Sequence, residues 1–166
     1  EQGRMWLTEG LDFSHNPYQQ LRVAGGQSII VVTDGDGDGK ADKSHVFITE
    51  KSIRHAPLGI AVFDNKILLS VAPDLIVYTD VNRNAVFDRG IDKREVLLTG
   101  FDGKNHDHSL HSVTVGPNGQ YYFNHGNKGS KVSDKDGWQL NAGSFYSSRN
   151  ASGKTSTDGQ VYPRGV

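Results

Sequence analysis

Residues 33–43, TDGDGDGKADK, place Asp34, Asp36, Asp38 and Asp42 within nine positions, spaced largely by glycine. Four carboxylates so close repel one another, and a hard cation is the natural resolution. The D-x-D-x-D-G-x-x-D spacing sets side-chain oxygens at positions 1, 3, 5 and 9 of a calcium loop. The carbonyl of Lys40 falls at position 7, and Gly39 stands where the chain turns sharply. His45 occupies position 12, where an EF-hand carries a bidentate glutamate, and the flanks read as strands. The expectation is a calcium loop without an EF-hand around it; the alternative is a solvated acidic turn, since Asp-Gly pairs are ordinary hairpin residues. A looser copy, TDVNRNAVFDRGIDK at 79–93, offers Asp80, Asn82, Asn84, the carbonyl of Val86, and Asp88. Ala85 replaces the turn glycine, and Asp92 is a substitute for Asp88. Two carboxylates instead of four predict weaker binding.

Four of the seven histidines fall in residues 106–125: His106, His108 and His111 in NHDHSLHS, and His125 in FNHGN. Three chemistries fit them. Asp107-His108 could act as a general base supported by a carboxylate, although adjacent residues in a strand point apart. The four imidazoles could hold zinc or copper, since His-x-His on a strand puts two rings on one face. They could equally be solvated or hydrogen-bonding loop histidines.

The elements that position these residues repeat. SIIVVTDGDGDGKADKSHVFITE and DLIVYTDVNRNAVFDRGIDKREVLLTG share one layout: an apolar strand, Thr-Asp, the acidic loop, a second strand. From Asp34 to Asp80 the offset is 46 residues, the length of a four-stranded propeller blade. GIAVFDNKILLSVA and SVTVGPNGQYYFNHG each read as a hairpin, turning at Asp64-Asn65 and Pro117-Asn118-Gly119. RMWLTEG reads as the second strand of an earlier copy. The predicted fold is all-β, part of a β-propeller of roughly three blades: an incomplete blade over about 1–50, a full one over 51–100, and an incomplete one with a long loop over 101–166. Four blades are the minimum for a closed ring, so the remainder of its own propeller or partner chains must complete it. The alternative is a small open β-sandwich of ten or so strands.

Strand polarity separates two faces. The entry to a blade's first strand and the exit of its second share one end; the acidic loops, after the third strand, lie at the other. Calcium there would staple blades together. The first end gathers the histidine hairpin, with Arg54 and His55 entering the neighbouring blade and Glu9 from the blade before. His111, Asn124, His125 and Asn127 complete the expected pocket.

Composition excludes several functions. A net charge of −1 and scattered Lys and Arg give no case for nucleic acid or an anionic membrane surface. No apolar run approaches the ~20 residues of a membrane span. The chain has no cysteine, so disulfides, thiolate zinc sites, covalent haem and a cysteine nucleophile are ruled out. Weak calcium loops favour an extracytoplasmic home, periplasmic or secreted. No signal peptide is visible; the chain opens at Glu1, where processing or truncation would have removed one. No segment keeps helical apolar periodicity for three turns. Residues 131–166 are polar and rich in Gly, Ser and Thr, and read as a long loop leading into the next strand; Asn150-Ala151-Ser152 fits a glycosylation sequon.

HSLHSVTVGPNGQYYFNHGN (108–127) resembles the motif of pyrroloquinoline-quinone-dependent sugar dehydrogenases, the soluble glucose and sorbosone enzymes, which are six-bladed propellers. DGDGDGKADKSHVF, GIAV and REVLLTGF further resemble the propeller of the planctomycete-type membrane-bound dehydrogenases, frequently fused to a c-type cytochrome domain. The resemblance covers most of residues 4–127. It implies His108 as catalytic base, taking the proton of a sugar or related alcohol as hydride passes to the quinone, with Asp107 as the acidic residue before it. Gly126 matches the motif's closing glycine, while Asn127 stands where Asp is usual and His111 where glycine is common. The family's quinone-clamping arginines and quinone-bound calcium lie in later blades, so these 166 residues alone are expected to be inactive. A non-catalytic propeller that binds glycan or protein is the competing class.

Overall fold

The computed structural model describes residues 3–8, 26–53, 56–101, 109–125, 130–142 and 160–165. Its elements are all strands: β1 (Arg4–Thr8), β2 (Gln27–Thr33), β3 (Lys43–Glu50), β4 (Gly59–Phe63), β5 (Lys66–Val71), β6 (Asp74–Thr79), β7 (Lys93–Phe101), β8 (Leu110–Val115), β9 (Gln120–His125), β10 (Ser130–Ser133), β11 (Gln139–Ala142) and β12 (Gln160–Gly165). They form three antiparallel sheets, ordered β1-β2-β3, β11-β10-β7-β6-β5-β4 and β12-β9-β8. None closes on itself. The fold is all-β and corresponds to part of a propeller, as the repeat implies.

The middle sheet lies between the other two. KILLSV (β5) and DLIVYT (β6) are nearly continuous apolar runs, the pattern of a strand buried on both faces. Ile67, Leu69, Val71, Ile76 and Tyr78 pack with Ile29, Val31 and Phe47 of the first sheet. Leu68, Leu75, Val77 and Leu98 pack with Leu110, Val113, Tyr121 and Phe123 of the third. Three layers stacked in sequence order are successive blades, not the two layers of a sandwich.

The repeat extends to irregularities. The β2–β3 pairing slips by one residue after Ile29 and the β6–β7 pairing after Leu75, again 46 residues on. Such bulges sharpen local twist and bend the strand. The inner strands of neighbouring sheets touch at Gly59, where a Cβ would collide with the carbonyl of His111. Only glycine allows that approach.

The chain after residue 130 differs from its expected form. It is not one long loop: β10 and β11 form a hairpin that pairs with β7 and widens the middle sheet to six strands, and β12 then joins β9. SKVS and QLNA are too short and polar to announce strands. What holds them is an edge to pair with, together with Val132, Trp138 and Leu140 against the core.

Candidate functional site: two acidic loops and a histidine hairpin

In the first acidic loop, backbone N–H groups fold onto the carboxylates. Gly37 and Gly39 donate to Asp34 Oδ1 and Oδ2 at 2.7 and 2.9 Å, and Gly35 donates to Asp42 Oδ2 at 2.6 Å. The Gly39 N–H, seconded by Gly37, outweighs the effect of burial and holds the Asp34 carboxyl below the ordinary value. Oxygens of Asp34, Asp36 and Asp42 lie within 4.8 Å of one another. Calcium–oxygen bonds of about 2.3–2.6 Å place opposed ligands about 5 Å apart, so this trio fits one hard cation. Asp38 is turned elsewhere: it accepts from the Lys40 N–H at 2.8 Å and lies 3.7 Å from the Lys40 ammonium.

The second loop keeps the backbone and changes the chemistry. Gly37 and Gly39 have positive φ; so do Arg83 and Ala85, at the same offsets of three and five from the leading aspartate. Ala85 N–H donates to Asp80 Oδ2 at 2.9 Å, as Gly39 does to Asp34. Val81 N–H donates to Asp92 Oδ1 at 2.7 Å, as Gly35 does to Asp42. Asp92, immediately before β7, is thus the counterpart of Asp42, and the role assigned by spacing to Asp88 belongs to it. Asp88 instead accepts from the side-chain amides of Asn82 and Asn84, both at 2.7 Å, which hold its carboxyl below the ordinary range. Asn84 Oδ1 accepts from the Val86 N–H at 2.8 Å.

This loop also spans the first and middle sheets. Asp80 is 4% exposed, and Ala85 and Phe87 belong to the core cluster between those sheets. His45 Nε2 donates to the Ala85 carbonyl at 2.9 Å, and Phe87 N–H to the Phe47 carbonyl at 2.8 Å. Phe47, Tyr78 and Phe87 meet edge-to-face at 5.8–6.0 Å, and Trp6 meets Phe47 at 5.2 Å. Arg83 forks onto Asp64 in the β4–β5 turn at 2.7 and 2.8 Å. Acidic loops and hairpin turn therefore share one end.

The opposite end carries the histidine hairpin. Leu110 pairs with His125, so the entry to β8 and the exit of β9 adjoin. Gly59, the first residue of β4, abuts the His111 carbonyl at the same end. His125 is 2% exposed, its ring 6.5 Å from that of Phe101. Asn124 Oδ1 accepts from the Ser112 N–H at 3.0 Å and the Ser112 hydroxyl at 2.6 Å, bridging the irregular pairing between Leu110 and Val113. His111 is half-buried. Glu9, Arg54, His55, His106, Asp107, His108 and Asn127 lie outside the described residues.

Over residues 1–160 the chain matches the family described as "Domain of unknown function (DUF7133)". It belongs to that family. No curated protein matches it. Two solved structures are similar to this DUF7133 chain. The "Iodide structure of Trichoderma reesei Carbohydrate-Active Enzymes Family AA12" shares 14% identity at a TM-score of 0.45, over 79% of this chain and 39% of that one. The "Calcium structure" of the same enzyme family from that organism shares 12% at 0.43, over 79% and 38%. The DUF7133 chain spans about two-fifths of the length of either.

Sequence reasoning missed the polar clamp that joins the first sheet to the middle one. Glu50, 8% exposed at the end of β3, takes a fork from Arg94 of β7, through Nε to Oε1 and through Nη2 to Oε2 at 3.0 Å. It also accepts from the Tyr78 hydroxyl at 2.9 Å and the Ser52 hydroxyl at 2.7 Å. Burial alone would push its carboxyl up; the Arg94, Ser52 and Tyr78 donors outweigh that and hold it below the usual range. Burial, then the Glu50 charge, pushes the Tyr78 hydroxyl far up, so it remains a donor. The only sequence signal was a glutamate closing an apolar strand; its partner stands 44 residues away.

Proposed function

We propose that the chain is part of a quinone-dependent, dehydrogenase-like propeller, periplasmic or secreted, that oxidises a sugar or related alcohol. The observation that carries this reading is the closure of the β8–β9 hairpin. Its register pairs Leu110 with His125, both inside the stretch that resembles the sugar dehydrogenases, beside the entry to the neighbouring sheet and away from the acidic loops. His108 stands two residues before that hairpin in sequence, and its imidazole takes the hydroxyl proton while Asp107 supplies the adjacent negative charge. A quinone held by the later blades would supply the two-electron acceptor for the carbinol hydride, with a c-type cytochrome as a fitting onward acceptor. His111 and the segment with Arg54 and His55 would border the substrate. Calcium, held by Asp34, Asp36 and Asp42, would neutralise the carboxylate cluster at the far end and take no part in the chemistry.

The test is dye reduction by the full-length protein reconstituted with quinone and calcium, across a broad panel of sugars and alcohols. Activity lost in His108→Ala with calcium affinity unchanged supports the reading. No reduction by any substrate overturns it and leaves a calcium-stabilised propeller that binds glycan or protein. His125, buried against Phe101, is a core residue, which counts against a metal site built from all four histidines.

A further inference from the structure

Between the end of β3 with residues 51–53 and the strands β5, β6 and β7 lies an open cleft of about 860 Å³. That volume suits a small organic molecule. Its wall is apolar at Ile48, Ile53, Val71, Ile76 and Val96, and cationic at Arg89 and Arg94. The carboxylates around it are already engaged. Glu50 is saturated by Arg94, Tyr78 and Ser52, and Asp74 accepts from the Thr99 hydroxyl at 2.6 Å. Asp88 and Asp92, flanking Arg89 in sequence, serve the amides of the second loop.

The cations are not used up. Arg94 gives Nε and Nη2 to Glu50 and also has the Tyr78 hydroxyl beside it, while no described residue takes a hydrogen bond from Nη1. The Arg89 side chain makes no hydrogen bond or ion pair with the described residues, and the Lys51 ammonium on the same rim makes none either. Arg94 is also held in place, its guanidinium 6.0 Å from the Tyr78 ring. A donor fixed beforehand loses little freedom when it binds.

We propose that this cleft binds a small organic carboxylate, its anionic group held by Arg94 Nη1 and Arg89 and its apolar body lying on Ile53, Val71 and Val96. The site shares no residue with the histidine hairpin, so it stands or falls independently of the dehydrogenase reading. Benzoate is a suitable probe, with benzamide as the neutral isostere and sulfate as an inorganic anion, titrated calorimetrically into the full chain. Saturable benzoate binding is expected, with benzamide weaker by about tenfold or more, the worth of a charge-assisted contact. Arg89→Gln, which removes no hydrogen bond or ion pair among the described residues, should weaken benzoate by about tenfold and leave the unfolding midpoint unchanged. Arg94→Lys should weaken it as well. Equal binding of benzamide, unaltered affinity in Arg89→Gln, or no saturable binding at millimolar benzoate would each overturn the proposal. Sulfate binding as tightly as benzoate would also overturn it, by removing the organic part.

Discussion

Truncating Glu50 to alanine tests whether the clamp between the first and middle sheets stabilises the fold. Three donors lose their acceptor, and they are not equivalent. Ser52 is exposed and turns to water at little cost. The Arg94 side chain is about one-third exposed, so its share of the ion pair is screened and is worth about 0.5–1 kcal/mol. Tyr78 is wholly buried, and its stranded hydroxyl costs about 1–3 kcal/mol. The sum is about 1.5–4 kcal/mol, dominated by the tyrosine. Urea unfolding of the full chain at neutral pH measures it, and a double-mutant cycle assigns it. In Tyr78→Phe the orphaned hydroxyl is gone, so Glu50→Ala should cost about 1–3 kcal/mol less in that background than alone. Additive losses, or a Glu50→Ala cost below about 0.5 kcal/mol, would refute the reasoning.

Three further outcomes follow from the same geometry. The folded Glu50 carboxyl titrates below its unfolded value of 4.5, so its contribution is complete above that pH and is lost as pH falls through the folded value. Unfolding midpoints of wild type and Glu50→Gln should therefore converge in acid; a gap unchanged at low pH would contradict this. Calcium should raise the thermal midpoint, and Asp42→Asn should remove most of that gain while Asn84→Ala leaves calcium affinity unchanged; titration calorimetry separates the two loops. Gly59→Ala forces a methyl group against the His111 carbonyl and should cost about 1–3 kcal/mol by overpacking, with dye reduction falling more than stability if the inner strands shape the substrate site. Retention of wild-type stability would show that the strands are not in tight contact.

Much of this architecture could be read from repetition. The 46-residue offset gives the sheets, the polarity argument places the acidic loops at the end opposite the histidine hairpin, and Asp64-Asn65 and Pro117-Asn118-Gly119 mark their turns. What escaped depends on pairing across space. Spacing favoured Asp88 over Asp92 because it counts residues from Asp80; the structure counts back from β7, and the four extra residues of the second loop lie before Asp92. Glu50 and Arg94 carry no local sign of each other. The β10–β11 hairpin has weak strand character and needs the edge of β7 to exist. Asn124 and Ser112 likewise carry no local sign of their pairing, which the irregularity between Leu110 and Val113 brings about.

The β10–β11 hairpin bears on how strand edges are left during synthesis. The outermost strand of a sheet presents unpaired N–H and C=O groups that can template another molecule. Here the last strand of each of the first two repeats meets chain made later. Phe87 of the second acidic loop closes on the Phe47 carbonyl of β3, and β10 pairs along β7. During synthesis each outer edge stays open until those later residues emerge, about 40 positions after Phe47 and about 30 after Phe101. Chains interrupted inside either window would carry a bare, apolar-backed strand edge, and self-association should concentrate there.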